Sequence, residues 1–248
     1  MPVDPADDLN ADVDEGIERV LCVTAHPDDV DFGVAGTVAG WTQSGIEVAY
    51  CIVTNGDAGG FDPAVPRSDI AGIRQAEQRA AAKVVGVDDV TFLGYPDGLV
   101  ELSLNLRRDI AREIRRFRPD RVVAQSPQRN WQRIGVSHPD HMATGEATLC
   151  AVYPDARNPF TFPELIAEGL AEWTVREVWV SGTESPNRWV DITDTFDRKL
   201  AALREHASQL PNPEQLEDML RGWLTLNATA GGLPSGRLAE AFRVMPTV

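Results

Sequence analysis

The feature that most constrains the fold is the regular alternation of strand-like and helix-like segments between residues 20 and 125. Four runs are short, apolar and rich in β-branched residues, which is typical of buried parallel strands: 20–25, 48–54, 90–93 and 121–125. Three intervening segments are predicted to be helical: 33–43, 69–85 and 106–117. The alternation predicts an α/β fold, a Rossmann-like three-layer α/β/α sandwich around a mostly parallel sheet.

Apolar spacing also predicts which faces of the helices are buried. On the second helix the predicted core face is Ile70, Ile73, Ala76, Ala80 and Val84. On the third helix it is Leu106, Ile110, Ile114 and Phe117. The opposite face of the third helix carries five arginines, which we expect to be solvated: Arg107, Arg108, Arg112, Arg115 and Arg116.

Beyond residue 142 the pattern is looser. Four later segments are predicted: helices at 142–152 and 195–210, and strands at 177–180 and 188–192. No repeat or linker divides the chain. We therefore expect one domain over residues 19–248 with an irregular C-terminal portion, preceded by a flexible acidic leader over residues 1–18.

Composition limits the classes of partner. The formal net charge of −15 and the pI near 4.6 disfavour binding to nucleic acid or to anionic lipid. The three cysteines form no C-x-x-C pair, and two lie in strand-like runs, so we expect reduced thiols and a cytoplasmic location. No apolar run reaches the roughly 20 residues of a membrane span. The expected partner is a small-molecule substrate, and a homo-oligomer is left open.

Three of the four histidines fall in two similar tracts, His26-Pro27-Asp28-Asp29 and His138-Pro139-Asp140-His141. Each tract follows a predicted strand, the second after a loop. Both tracts therefore belong at the carboxyl edge of the sheet, where α/β folds bind their ligands. Within each tract, residues three apart project to the same side of a first helical turn.

These residue types predict a catalytic zinc site. Two imidazoles and a carboxylate, with one position open to water, are the ligands of such a site, so His26, Asp29 and one histidine of the second tract are the candidates. Zinc lowers the pKa of its bound water to about 7. Asp28 is available as a general base, and the spare histidine, with its ring oriented by Asp140, as an acid or oxyanion donor.

The two tracts and several shorter motifs resemble the PIG-L/LmbE family of deacetylases over about residues 19–210. This family includes the mycothiol- and bacillithiol-pathway deacetylases and N-acetylglucosaminyl-phosphatidylinositol deacetylase. The matching motifs are Ala25-His26-Pro27-Asp28-Asp29-Val30-Asp31, Thr54-Asn55-Gly56, Arg74 with Glu77, Leu93-Gly94-Tyr95-Pro96-Asp97, Ser137-His138-Pro139-Asp140-His141, and the later residues Lys199, His206, Ser208 and Gln209.

The resemblance implies that one zinc ion is held by His26, Asp29 and His141, with iron as an alternative metal. It implies that Asp28 is the general base, and that His138, oriented by Asp140, stabilises the oxyanion or protonates the amine. The chain departs from the family in two places. Asp31 replaces the usual glutamate, and Val136 stands near the tyrosine of the mycothiol enzyme.

Three further residues are candidate substrate contacts: Arg74, Asn55 and Trp131. Arg74 binds substrate hydroxyls or a phosphate, or else forms an ion pair with Glu77 one turn away. Asn55 belongs to a glycine-rich turn, and Trp131 precedes the second tract, where it would stack on a sugar or pack in a loop. His206 lies at the margin of an apolar helical stripe and is predicted to be a packing residue.

The predicted function is removal of an acetyl group from an N-acetylglucosaminyl compound by zinc-activated water. One alternative keeps the same zinc site in an amidase of thiol conjugates or a deacylase of a glycolipid or natural product. A distant alternative is a nucleotide-binding Rossmann-type module. Against that alternative, the turn after the first strand holds His-Pro-Asp-Asp in place of G-x-G-x-x-G.

Overall fold

A computed structural model of the chain describes residues 14–247. Within this range a seven-stranded sheet has the strand order β3-β2-β1-β4-β5-β7-β6. The strands are β1 Arg19–Thr24, β2 Glu47–Thr54, β3 Asp89–Tyr95, β4 Arg121–Gln125, β5 Glu177–Ser181, β6 Arg188–Asp191 and β7 Ala239–Pro246. Strands β1 to β5 run parallel, and β7 runs antiparallel to both β5 and β6. The predicted α/β class with a mostly parallel sheet is confirmed.

Helices cover both faces of the sheet, so the three-layer arrangement is also confirmed. The helices are α1 Asp29–Gln43, α2 Arg67–Val84, α3 Leu104–Phe117, α4 Pro139–Cys150, α5 Pro163–Ala167, α6 Phe196–Arg204 and α7 Leu216–Ala230. One core cluster joins α1, α2 and α6 to the sheet, and a second joins α3 and α4 to its other face. Alternate β1 residues enter the two clusters, Val20 and Cys22 one and Leu21 and Val23 the other, as a strand covered on both faces requires.

The first helix starts earlier than predicted. It begins at Asp29, four residues before the expected start at Gly33, because the Asp-Asp motif itself forms the first helical turn. Helix α3 buries its predicted apolar face. The prediction that all five α3 arginines are solvated is wrong for Arg115. This side chain is buried and donates to the backbone carbonyls of Asp155, Ala156, Asn158 and Thr161.

Helix α2 lies where the sequence predicts it, but its buried face is a different one. Its buried residues are Arg74, Gln78, Ala81 and Ala82. Ile73 and Ala76 from the predicted core face are exposed instead. The reason is that α2 turns its two long polar side chains toward the carboxyl edge of the sheet, where other polar groups bind them.

The C-terminal portion is more regular than predicted. The expected helix over 195–210 is α6 followed by a short 3-10 turn at Ala207–Gln209, and α7 and β7 had not been predicted. A third core cluster joins α6 to α7 through leucines at 200, 203, 216, 220 and 224. This layer brings α6 and β7 against α1, the helix that begins at Asp29 of the first histidine tract.

Residues 1–13 of the predicted leader lie outside the described residues. The described part of it contacts the domain: Ile17 is buried, and the Asp14 carboxylate accepts a hydrogen bond from Arg121 at 2.6 Å. The three cysteines are not joined in disulfides. Across residues 14–247, the helices are all too short or too polar to cross a membrane.

Candidate metal centre

Both histidine tracts meet at the carboxyl edge of the sheet. His26 lies two residues beyond the end of β1, and Asp29 is the first residue of α1. His138 precedes the first residue of α4, and His141 lies in its first turn. Because β1 and β4 are neighbouring parallel strands, the loops that leave them come together at the same edge.

Side-chain donor atoms of three residues from the two tracts lie close together. His26 Nδ1 lies 3.1 Å from His141 Nε2 and 3.2 Å from an Asp29 oxygen, and the second Asp29 oxygen lies 3.0 Å from His141 Nε2. A tetrahedral zinc with bonds of 2.0–2.1 Å needs ligand atoms about 3.3 Å apart. The spacing and the donor types therefore fit one divalent metal with one side of its coordination sphere open.

The His138 ring is close to this set but takes a different role. Its centroid is 4.8 Å from that of His26, and its Nδ1 accepts a hydrogen bond from the Asp140 backbone N–H at 3.2 Å. Burial and the nearby positive charge of His26 lower the pKa of His138. A neutral ring whose Nδ1 is an acceptor carries its proton on Nε2, so His138 can donate a hydrogen bond from that atom.

The Asp140 carboxylate does not orient His138, contrary to the prediction. One of its oxygens lies 3.1 Å from His26 Nε2, and the two oxygens accept the backbone N–H groups of Gly98 and Val100. An Asp97 oxygen also lies 3.1 Å from His26 Nε2. Asp140 is completely buried at the first turn of α4, and from there its side chain reaches back to the first tract. Both carboxylates therefore fix the ring of His26 and direct its Nδ1 to the metal position.

The charges at the site favour a cation. Burial alone would lower the pKa of His26, but the three carboxylates around it raise that pKa to about 12. Burial alone would raise the pKa of Asp29, but the two histidines outweigh it and lower that pKa. A metal ion that binds here displaces the His26 proton, so metal uptake releases a proton.

Asp28 has the properties of a general base. Burial raises the pKa of Asp28 to about 7, with the charge of Asp29 adding to this shift and the Arg74 guanidinium opposing it. A carboxyl group with that pKa exchanges protons near neutral pH. Its backbone is in the left-handed region, with φ of 97°, at the position before α1.

Arg74 binds Asp28 and does not form the alternative ion pair with Glu77. Its Nη2 donates to the Pro27 carbonyl at 2.6 Å and to Asp28 at 3.2 Å, and its Nη1 lies 3.4 Å from Asp97. Glu77 instead accepts the backbone N–H and the hydroxyl of Ser208. Arg74 is therefore buried between the two carboxylates that flank the metal position.

A chain of buried hydrogen bonds holds the backbone of Asp28. The Asp28 N–H donates to Gln78 Oε1 at 2.8 Å, and Gln78 Nε2 donates to an Asp31 oxygen at 2.7 Å. His206 Nε2 lies 2.9 Å from the same oxygen. All three supporting side chains are fully buried. His206 is thus packed, as predicted, and Asp31 serves as the acceptor that joins α2 to the end of α6.

A buried ion pair contacts the backbone of helix α1 in its first half. Lys199 Nζ donates to the carbonyls of Asp31 and Phe32, and it lies 2.7 Å from the Glu240 carboxylate. That carboxylate accepts the backbone N–H groups of Gly36 and Thr37. Helix α6 therefore holds the α1 turn that carries Asp29, and β7 holds the helix further along.

Two cavities open onto these residues. One of about 260 Å³ is lined by His26, Asp28, Ala58, Gly59, Arg74, Asp97 and His138. We call it the catalytic pocket. The other, of about 360 Å³, lies on the side of Asp29 and His141 and includes Phe32, Val136 and Trp223 in its wall. The metal position is therefore accessible to a substrate of small size.

Two predicted substrate contacts lie outside these cavities. Trp131 is 85% exposed on the loop before α4 and lines neither cavity. The Asn55 side chain joins helix α2 to strand β3, since it accepts a hydrogen bond from Gln75 and donates one to the Gly94 carbonyl. Asp97 and Gln78 are two residues of the site without a predicted role. The position of Asp97 at the end of the motif over residues 93–97 could have indicated its place in the site. Nothing in the sequence indicates a role for Gln78, because a glutamine on an amphipathic helix is ordinarily solvated.

The fold and this set of residues define a hydrolase of the metal-dependent type, and comparison with known proteins gives the family. Residues 21–152 match the PIG-L family, described as GlcNAc-PI de-N-acetylase. The chain belongs to this family of amide-cleaving deacetylases.

Relatives with assigned activities cover most of the chain. Diacetylchitobiose deacetylase of Thermococcus kodakarensis is 33% identical over 94% of this chain and 85% of its own. A probable N-acetyl-α-D-glucosaminyl L-malate deacetylase of Bacillus anthracis is 31% identical over 77% of this chain and 81% of its own. The structure of N,N'-diacetylchitobiose deacetylase from Pyrococcus horikoshii has a TM-score of 0.88 and 31% identity, covering 98% of this chain and 88% of that one.

Proposed function

We propose that this protein removes the acetyl group from an N-acetylglucosamine derivative, using one zinc ion held by His26, Asp29 and His141. The observation that carries the proposal is the convergence of three metal-binding residues, with donor atoms 3.0–3.2 Å apart, beside the half-buried Asp28 carboxyl, whose pKa is raised to about 7. Relatives whose names specify acetylglucosaminyl substrates support the choice of substrate class. We propose a cytoplasmic enzyme, in keeping with the reduced cysteines.

The donor set favours zinc and also admits ferrous iron, because imidazole and carboxylate ligands suit both ions. When bound, the metal would lower the pKa of a water molecule and polarise the amide carbonyl. The carboxylates of Asp97 and Asp140 orient His26 for this task through its Nε2.

Asp28 moves the protons of the reaction. It accepts a proton from the attacking water and returns it to the amine nitrogen as the C–N bond breaks, so that amide and water become acetate and amine. Its pKa of about 7 suits both transfers. Arg74 holds the carboxylate in place from one side, at 3.2 Å.

His138 stabilises the negative charge that develops on the carbonyl oxygen. Its Nδ1 is occupied by the Asp140 N–H, so its Nε2–H is the free donor. A donor of this kind is worth about 10²–10³ in rate. The alternative role, protonation of the amine by His138, requires a protonated ring, and the lowered pKa of His138 disfavours that role.

Two measurements test the proposal. The first is the metal content of the wild type and of His141→Ala after dialysis without chelator, with an expected value near one zinc or iron per wild-type chain and a loss in the variant. The second is acetate release from N-acetylglucosamine derivatives by Asp28→Asn, expected to fall by about 10²–10⁴ with metal retained. Asp88→Asn, at an exposed carboxylate in the loop between α2 and β3, is the matched control. Full activity in metal-loaded Asp28→Asn would exclude Asp28 as the base.

A further inference from the structure

The cavity of about 360 Å³, which we call the second cavity, has two of the three metal-binding residues, Asp29 and His141, in its wall. Donor atoms of these two residues lie 3.0 Å apart. His26 belongs to the wall of the catalytic pocket, and its Nδ1 lies 3.1 Å from His141 Nε2 and 3.2 Å from an Asp29 oxygen. An ion held by all three residues therefore borders both cavities.

The wall of the second cavity contains apolar side chains with uncovered surface. Phe32, Val136 and Trp223 lie in this wall, and Val136 and Trp223 are 43% and 41% exposed. Among the described residues that line the cavity, only Asp29 and His141 are ionisable. Exposed apolar side chains next to a reactive centre are typical of a ligand-binding surface.

The neutral polar side chains of this wall are hydrogen-bonded to the backbone. They are Gln125, Ser126, Ser181, Thr183 and Asn227. Gln125 accepts the Ala25 N–H, and Ser181 and Asn227 donate to backbone carbonyls. Ser126 and Thr183 accept backbone N–H groups two residues further along the chain. The wall therefore suits a neutral, apolar group better than a charged one.

The catalytic pocket has the opposite character. Its wall carries the ionisable side chains of Asp28, Arg74 and Asp97. Charged side chains are strong hydrogen-bond partners for the hydroxyl groups of a sugar. The two walls therefore suit the two halves of an acylated amino sugar, the catalytic pocket the sugar and the second cavity the acyl chain.

The proposed roles of Asp28 and His138 give the same orientation of the amide. Its carbonyl carbon bears three groups, which are the oxygen, the nitrogen and the acyl carbon. Asp28 returns a proton to the nitrogen and His138 donates to the oxygen, and both residues line the catalytic pocket. The third group, the acyl chain, then extends to the other side of the metal position, where Asp29 and His141 lie.

We propose that the second cavity binds the acyl chain of the scissile amide and that the enzyme hydrolyses N-acyl groups longer than acetyl. An acetyl group places one methyl carbon there, whereas a cavity of about 360 Å³ lies within the roughly 300–1,000 Å³ of ordinary ligand sites. An N-butanoyl amide and water become butanoate and the amine, with the same proton transfers by Asp28. The inference rests on the proposed deacetylase function and extends it beyond acetyl, the acyl group in the names of the relatives.

The test compares two substrates that differ only in acyl length. N-acetylglucosamine and N-butanoylglucosamine are given to the metal-loaded wild type, and release of their common product, glucosamine, is measured. We expect kcat/KM to be about fivefold higher for the butanoyl substrate, mainly through KM, since burial of two methylene groups suffices for this ratio. Calorimetry gives a second readout without turnover, in which butanoate should bind the metal-loaded protein more tightly than acetate by a similar factor.

Two variants change the wall of the second cavity. Val136→Trp narrows the cavity, and Trp223→Ala removes part of its apolar surface. We expect each to lower the butanoyl-to-acetyl ratio of kcat/KM severalfold. Leu226→Ala is the matched control, because Leu226 lies on the same helix as Trp223, is 71% exposed and does not line the cavity. It should leave the ratio unchanged.

Three outcomes count against the inference while the deacetylase function stays intact. They are a kcat/KM for the butanoyl substrate equal to or below that for the acetyl substrate, a ratio that neither cavity variant changes, and a butanoate affinity no greater than that of acetate. Absence of glucosamine from both substrates, together with absence of acetate from N,N'-diacetylchitobiose, would overturn the proposed function itself.

Discussion

Asp28 combines a chemical role with an unfavourable backbone conformation. Its φ of 97° is in the left-handed region, which costs a non-glycine residue about 1–2 kcal/mol. The Asp31 carboxylate can only accept hydrogen bonds, so it turns the Gln78 amide group with its NH₂ inward and its oxygen toward the Asp28 N–H. Gln78 is thus a positioning residue for the proposed base.

Replacement of Gln78 by methionine tests this role. Gln78→Met keeps the size and removes both hydrogen bonds, so we expect a loss of about 1–3 kcal/mol in the free energy of unfolding. We also expect kcat to fall by more than tenfold with KM nearly unchanged, because the base is displaced and the metal ligands are not. Gln75→Met on the same helix is the control, since Gln75 bonds only to Asn55. Unchanged kcat in Gln78→Met would contradict the role.

The buried pair of His206 and Asp31 predicts a pH dependence of stability. Burial alone would lower the pKa of His206, but its bond to Asp31 raises it above the usual 6.5. The folded protein therefore holds a proton that the unfolded chain releases above about pH 6.5. This contribution to stability is complete below pH 6.5 and is lost as the pH rises through the raised pKa.

His206→Gln keeps a neutral donor and removes the titration. Both proteins are saturated with zinc, and their free energies of unfolding are measured in urea as a function of pH. We expect the wild type to exceed the variant in this free energy most strongly below pH 6.5, and the difference between the two proteins to shrink toward pH 9. A difference that stays constant across this range would mean that His206 is neutral when folded.

The meeting of the two tracts could be predicted, because each tract follows a strand and the carboxyl ends of parallel strands share one edge. His26 and Asp29 lie beside His141 there, although the choice of His141 over His138 came only from the family resemblance. The role of Asp140 was predicted wrongly because it depends on a contact across the fold, to His26. Spacing along the chain identifies neighbours within a tract. It does not tell whether the Asp140 carboxylate faces the ring of His138, its neighbour in sequence, or the ring of His26 in the other tract.

At the scale of elements, the ion pair of Lys199 and Glu240 fastens α1 to α6 and β7. Lys199 is fully buried, and its ammonium group donates to the Asp31 and Phe32 carbonyls in the first turn of α1. Glu240 accepts the N–H groups of Gly36 and Thr37, further along the same helix. The first half of α1 is therefore held by side chains of α6 and β7 as well as by its own backbone.

Removal of one partner should be costly. Lys199→Met leaves a buried carboxylate without its countercharge, and we expect the free energy of unfolding to fall by about 3–5 kcal/mol. The only other lysine of the chain, Lys83, is exposed on α2, and Lys83→Met should change this free energy by less than about 0.5 kcal/mol. Urea denaturation measures both. Equal stability of the two variants would show that the pair contributes nothing.

Element types were more predictable than element faces. Strand β4 has the predicted bounds, and α3 buries the predicted face, because continuous apolar runs and regular spacing reflect burial directly. The predicted buried face of α2 was wrong because a helix face can be buried against polar groups of a site as well as against the apolar core. Arg74 and Gln78 are bound by polar groups of the site, and the apolar stripe with Ile70 and Ile73 lines a separate cavity.

At the scale of the whole molecule, the proposed metal joins distant parts of the chain. His26 and Asp29 lie between β1 and the start of α1, whereas His141 lies on α4, which follows β4 more than 100 residues later in the chain. A ligand that binds only when these parts are assembled stabilises the folded state. Metal affinity and global stability are therefore linked.

Thermal unfolding in the presence of zinc measures this link. At free zinc 100-fold above its dissociation constant, we expect about 2.7 kcal/mol of added stability in the wild type and a lower Tm after chelation. His141→Ala should show no such shift. Magnesium, which prefers oxygen ligands, is the control ion and should leave the wild-type Tm unchanged. A zinc-dependent shift of the same size in His141→Ala would place the metal elsewhere.

The contact between Glu240 and α1 has a consequence for the order of events during synthesis. Both histidine tracts leave the ribosome long before β7 is made, and Lys199 of α6 contacts the Asp31 and Phe32 carbonyls in the α1 turn that carries Asp29. The countercharge of this lysine, Glu240, lies in β7. A nascent chain that ends at α6 therefore presents this lysine without the carboxylate that pairs with it in the folded protein. We expect the turn that carries Asp29 to reach its final packing only after β7 has entered the sheet between β5 and β6.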